Sequence, residues 1–232
     1  ADSRRGVATA HMVWGNNVAI LTGDLLFARA SNLVSGLGQE ALQLQAQVFE
    51  QLVLGQLHET IGPQDGEDSL EHYIQVLRDK TGSLIALSAQ LGAMLSGASE
   101  SYQKPLKEFG ESIGVAFQLV DDIIDIQSTK SQSGKIAGTD LLAGVPTLPV
   151  LLLADHEDPA SKQLLVDITE HLDESTLPEI LVRLREHQVM EQARLETLRW
   201  ADKAIDALSD LPDSRVRKAL EAFARAVVDR KG

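Results

Sequence analysis

An all-α fold is predicted by three features of the sequence. Apolar residues recur at helical spacing over most of the 232 positions. Alternating, β-branched runs bounded by turn signals are nearly absent. Glycines, prolines and short polar clusters fall where helices would start or stop. With no internal repeat and no linker, the chain reads as a single domain over residues 1–232.

A first helix is expected from about Ala8 to Ser35, ended by Gly36–Gly38, and a second from Glu40 to His58. Residues 62–68 (GPQDGED) form a polar loop, after which Ser69 can cap a helix running through Leu77 or beyond. Leu84, Leu87, Leu91 and Leu95 keep the helical period. The next helix should start near Pro105, because proline is tolerated in a first turn. Its stripe of Leu106, Phe109, Ile113, Phe117, Val120 and Ile124 faces a core. Residues 128–138 (STKSQSGKIAG) read as a small-residue loop. Leu148–Ala154 opens another helix despite Pro149. Amphipathic helices near Lys162–Leu172, Pro178–Asp210 and Ser214–Arg230 complete the chain.

Composition narrows the function. Hydrophobic residues make up 44%, enough for a sizeable core. The net charge of −13 repels phosphate backbones, so nucleic acid is not an expected partner, and any anionic substrate needs a local cluster of cations. With no cysteine, disulfides, zinc–thiolate sites and thiol nucleophiles are excluded. No uninterrupted apolar run reaches the roughly 18 residues that span a bilayer. A soluble, cytoplasmic protein without a transmembrane segment is the expectation.

The stretch Gly114–Pro149, GVAFQLVDDIIDIQSTKSQSGKIAGTDLLAGVPTLP, carries the densest chemical signal. Asp121 and Asp125 are four apart and share a helix face, with Gln118 one turn before Asp121. Asp122 sits about 100° around from Asp121. Three carboxylates on one turn repel one another, and a hard divalent cation such as Mg²⁺ relieves that repulsion. A solvated acidic patch is the alternative. The apolar flanks Phe117, Leu119, Val120, Ile123, Ile124 and Ile126 argue for a core-facing helix instead. Two smaller clusters are Arg4-Arg5-Gly6, which could grip two anions bidentately, and Lys80-Thr81-Gly82. Taken alone, the first also reads as a solvated charge pair. Gly55-Gln56 and Glu59 interrupt an apolar helix and fit either a cavity lining or a packing role.

The order Arg-Arg-Gly, Gly-Gln, Lys-Thr, Phe-Gln-x-x-Asp-Asp-x-x-Asp, Gly-Lys, Thr-Asp-Leu and Thr-Leu-Pro over Arg4–Pro149 resembles the trans-isoprenyl (polyprenyl) diphosphate synthases. The resemblance implies a bundle of antiparallel helices around a central cavity, usually dimeric, that condenses an allylic prenyl diphosphate with isopentenyl diphosphate. It implies Mg²⁺ as cofactor, held at Asp121 with Asp122 and Asp125 in support. It implies further that Lys80 and Lys135 bind the allylic diphosphate with Thr81 and Gln118 nearby, that Arg4 reaches the allylic diphosphate, and that Arg5 reaches the isopentenyl one. A homodimer built largely from residues 14–57 is expected.

Two departures stand out. The family's first Asp-rich motif would fall just ahead of Ala1, so the chain reads as the C-terminal two-thirds or so of such an enzyme, truncated at its N-terminus. Gly144-Val145-Pro146-Thr147 also places valine where the family often has lysine. A non-catalytic subunit of a heteromeric prenyl synthase and a class I terpene cyclase are the alternatives. The second lacks support, since no Asn-Ser-Glu-type triad is found. Product length cannot be read from these residues.

Overall fold

The computed structural model describes residues 3, 4, 6–128 and 137–230, with only the backbone of Arg4. It divides into two compact units, Ala1–Phe49 and Glu50–Gly232.

In the first unit, a two-residue ladder precedes the helices. β1 (Ser3–Arg4) pairs antiparallel with β2 (Val7–Ala8), Ser3 opposite Ala8 and Arg4 opposite Val7. The predicted first helix is two helices, α1 (Ala10–Trp14) and α2 (Asn16–Ser35). Gly15 separates them at φ 81°, ψ 162°, a conformation open essentially to glycine alone. Periodicity runs through this break, so the sequence did not reveal it. α3 (Gln39–Ile61) begins in this unit and extends beyond the predicted Glu40–His58. Phe27 stacks on Phe49 with ring centroids 3.9 Å apart.

α2 has no buried residue, and Ile20, Leu21, Leu25, Leu26 and Leu33 all stand exposed. At 20 residues and a mean hydropathy of 1.2, α2 is long and apolar enough to cross a bilayer by length and composition. The sequence reading, which counted uninterrupted apolar runs, did not single this helix out. Two charges, Asp24 and Arg29, sit in its middle turns.

The second unit is built on α6 (Gln103–Gln127), a helix buried on most of its circumference. Against it pack α4 (Ser69–Leu77), a π-turn (Arg78–Gly82), α5 (Ser83–Leu95), α7 (Thr139–Leu142), α8 (Leu148–Ala154), α10 (Leu177–Glu186), α11 (Val189–Ala207) and α12 (Arg215–Val228). α9 (Pro159–Glu170) lies between α8 and α10.

Three apolar clusters follow α6 along its length. Leu106, Phe109 and Ile113 meet Leu208, Ala224 and Val227. Val115 and Leu119 meet Tyr73, Leu77, Leu148 and Ala193. Ile126 meets Leu141, Leu153, Leu181 and Leu184.

Several local expectations are corrected. Asp68, not Ser69, caps α4, its side chain accepting from the Glu71 N–H at 2.7 Å. On α5 the leucine stripe is not the core face: Leu84 and Leu95 are exposed, while Ser83, Ala86 and Ala93 are buried. The cause is backbone proximity. A Cβ on Gly110 would lie 2.3 Å from the Ala86 Cα, and one on Gly114 would lie 2.5 Å from the Gly82 Cα. Helices that approach this closely admit only small residues between them. The predicted Pro178–Asp210 helix breaks at His187–Gln188 into α10 and α11 and ends in a 3₁₀ turn, Leu208–Asp210. The helix foreseen at Lys162–Leu172 is α9, which starts earlier because Asp158 caps it and Pro159 occupies its first turn.

Candidate active site

Each of the three aspartates of α6 has a different environment. The Asp121 side chain is 44% exposed, and it accepts a hydrogen bond and ion pair from the Arg230 guanidinium beyond the end of α12. That guanidinium also lies over the Phe117 ring, 4.3 Å from its centroid. Asp122 is turned into the fold and is 8% exposed. Its Oδ2 accepts from the Tyr73 hydroxyl at 2.5 Å and from the Leu148 N–H at 2.8 Å. Burial pushes the Asp122 carboxyl up to about 7, opposed by those two hydrogen bonds and assisted by the charges of Asp140 and Asp125. Burial, followed by Asp122, holds the Tyr73 hydroxyl well above its ordinary value. Asp125 accepts from the Thr139 N–H at 3.3 Å and the Asp140 N–H at 3.2 Å.

Lys80 and Thr81 lie in the π-turn, where one extra residue per turn widens the helix. The Ser83 hydroxyl donates to the Asp79 carbonyl at 2.6 Å across it. Asp79 is buried and accepts from Gln51 at 2.7 Å and Gln75 at 2.9 Å. Gly55 lets α3 press on this turn, since a Cβ there would meet the Asp79 Cβ at 2.6 Å. Gln56 donates to Glu59 at 2.8 Å, and Glu59 forms an ion pair with Lys80. The Gly82–Gly114 approach then sets the Lys80–Thr81 turn against α6, one turn before Gln118. Gly55, Gln56, Glu59, Lys80 and Thr81 therefore form one assembly adjoining the acid helix. A cleft of about 410 Å³ opens between α6, α11 and the end of α12, lined by Val120, Ile123 and Ile124 together with Gln127, Arg194 and Arg230 among others.

The donors of α6 suit a hard divalent cation that also takes ligands from a substrate. They are carboxylate oxygens, and Asp121 is open enough to reach one. Among the described residues, no three acidic or histidine side chains converge as a ready metal site. A cation here would complete its shell with water and phosphate oxygens, as Mg²⁺ commonly does. Arg5 and Lys135 lie outside the described residues, as does the side chain of Arg4. Tyr73, the Leu148 N–H and Arg230 were not foreseen, because each reaches α6 from a distant stretch of chain with no spacing signal.

An all-α bundle whose central helix carries an aspartate cluster has the architecture of the isoprenoid synthases. A decaprenyl diphosphate synthase from Rhodobacter capsulatus superposes with a TM-score of 0.87 at 29% identity, covering 100% of this chain and 72% of that one. A geranylgeranyl pyrophosphate synthase from Corynebacterium glutamicum, complexed with calcium and isoprenyl diphosphate, gives 0.85 at 43% identity, covering 97% and 70%. The nonaprenyl diphosphate synthase of Mycobacterium tuberculosis is 42% identical over 233 residues, spanning 100% of this chain and 70% of that protein. The polyprenyl synthetase family model matches residues 1–183. The chain belongs to the polyprenyl synthetase family, and its enzyme class is that of the trans-prenyltransferases.

Proposed function

We propose that the protein condenses an allylic prenyl diphosphate with isopentenyl diphosphate to give a longer trans-prenyl diphosphate. The observation that carries this reading is the packing of the Lys80–Thr81 turn on α6 through Gly82 and Gly114, beside the open carboxylate of Asp121.

In this reading the allylic C–O bond breaks, the isopentenyl double bond attacks the allylic carbon, and a proton leaves to the departing diphosphate. Asp121 would hold Mg²⁺ with Asp125 in support, while Asp122, buried against Tyr73 and the Leu148 N–H, would support the site by fixing the acid helix. When bound, Mg²⁺ offsets the charge that develops on the leaving diphosphate. Lys80 meets the same charge from the π-turn, held in place by Glu59. Thr81 and Gln118 orient the diphosphate. Lys135 and Arg4 are assigned to the allylic diphosphate and Arg5 to the isopentenyl one. Apolar residues of the cleft, Val120 and Ile124 among them, exclude water from the carbocation.

The family match runs across both compact units, which supports treating residues 1–232 as part of one isoprenoid-synthase domain. The exposed apolar residues of α2, Ile20, Leu21, Leu25, Leu26 and Leu33 among them, support a homodimer formed through residues 14–57. A cytoplasmic location is proposed because Asp24 and Arg29 would each cost about 3 kcal/mol in the middle of a bilayer. The test of activity is incorporation of labelled isopentenyl diphosphate by the full-length protein, with Mg²⁺ and allylic acceptors of several lengths. Absence of acid-labile prenyl product with every acceptor would refute the reading.

A further inference from the structure

The last turn of α6 leaves backbone carbonyls that no residue of the helix can satisfy. The Ile124 carbonyl accepts from the Ser128 N–H at 2.8 Å and its hydroxyl at 2.6 Å. The Asp125 carbonyl accepts from the Gly138 N–H at 2.9 Å. Ile126 and Ser128 are served from elsewhere in the fold. Arg185, near the end of α10, donates through Nε to the Ile126 carbonyl at 2.7 Å and through Nη2 to the Ser128 carbonyl at 3.0 Å. By contrast Arg183, on the same helix, makes an ion pair with Asp167. Arg185 has its cation at the negative end of the helix that carries three carboxylates, where it is most favourable.

α10 also grips the chain where it returns. Gly138 has φ +74°, and a Cβ on it would lie 2.8 Å from Leu177 Cδ1 and 3.2 Å from Leu181 Cδ2. The next two residues, Thr139 and Asp140, supply the N–H groups that hold the Asp125 carboxylate. One short helix thus fixes both the departure of the chain after Asp125 and the backbone groups that orient its side chain.

We infer that Arg185 is a positioning residue for the acid helix: it clamps the last turn of α6 so that Asp125 keeps the orientation in which it supports cation and diphosphate binding. The inference rests on the proposed metal role of the α6 carboxylates. Without the guanidinium, the Ile126 and Ser128 carbonyls lose their donors and the turn containing Asp125 frays. Residues that orient a metal ligand typically change affinity by about 10- to 100-fold when replaced.

The test uses the full-length protein and binding without turnover. Calorimetry follows Mg²⁺ with inorganic pyrophosphate for wild type, Arg185→Met, Arg185→Lys and Asp121→Asn, alongside the Mg²⁺ concentration for half-maximal activity. Arg185→Met should weaken Mg²⁺–pyrophosphate binding about tenfold and raise the half-maximal Mg²⁺ concentration to match, with kcat at saturating Mg²⁺ lowered less than about threefold. Arg185→Lys, which keeps the charge and can serve one carbonyl, should fall between; if Arg185→Met does not fold, this variant alone decides. Unchanged Mg²⁺ affinity in the folded variants, with only a lower melting temperature, would overturn the inference while Asp121→Asn still abolished binding. If Asp121→Asn left Mg²⁺ binding intact, the metal role of α6 would fall and the inference with it.

Discussion

The Tyr73 hydroxyl lies 2.5 Å from the Asp122 carboxylate, joining α4 to the acid helix at a point buried from solvent. A second donor, the Leu148 N–H, brings the start of α8 to the same oxygen. Tyr73→Phe removes one donor and leaves a buried acid with a single partner. We expect a loss of about 1–3 kcal/mol, measured by urea denaturation with the slope unchanged.

The raised pKa of Asp122 fixes the direction of a pH effect. The folded protein holds this proton up to about pH 7, while the unfolded chain releases it near the ordinary carboxyl value of 3.8. Between those values the folded state binds more protons, so this group's contribution to stability falls as pH rises. His187, lowered chiefly by burial and then by His156, works in the opposite sense over the upper part of that window. The Asp122 share is isolated by comparing wild type with Asp122→Asn in EDTA from pH 5 to 8. The stability difference, variant minus wild type, should grow with pH; a constant difference would contradict the assignment.

Asp121→Ala should lower kcat of the full-length enzyme by at least about 10²-fold, the cost of losing one charge-stabilising group at the reacting centre. Stability should change by less than about 1 kcal/mol, because the lost pair with Arg230 is half-exposed. Labelled isopentenyl incorporation and thermal melts separate the two effects.

The close approach of α5 to α6 yields a packing prediction. In Gly110→Ala, the new methyl would meet the Cα and N of Ala86 at 2.3 and 2.5 Å, so backbone rather than a flexible side chain must move. A loss of about 1–3 kcal/mol is expected, read as a lower urea midpoint.

For the proposed assembly, Leu21→Glu with Leu25→Glu on exposed α2 should reduce the mass measured by light scattering from dimer to monomer at micromolar concentration. An unchanged mass would place the contact elsewhere.

The helical class and the acid helix were legible because both rest on local spacing. Asp121, Asp122 and Asp125 stand within one turn, and their apolar flanks marked the helix as internal. Their division of labour was not legible. Tyr73 is 49 residues from Asp122 and Arg230 is 109 from Asp121, and no period links such pairs. On α5 the leucine period gave the helix but not its buried face, because the Gly110 contact with Ala86 chooses a face of small residues. Gly55-Gln56 and Glu59 were noticed in the sequence, while their convergence on Lys80 emerged only from the packing of α3 on the π-turn.

That π-turn has a consequence for the tolerance of this segment to changes in length. Arg78–Gly82 already holds one residue more than a regular helix needs. Deleting a single residue there would restore an ordinary α-turn and keep the hydrogen-bond ladder unbroken. It would also swing the preceding face by about 100° relative to α5, carrying Lys80 away from Glu59 while Gly82 stayed locked to Gly114. Such a shortened chain should melt well below the parent, because the same rotation takes Tyr73 and Leu77 of α4 off their places against Val115 and Leu119.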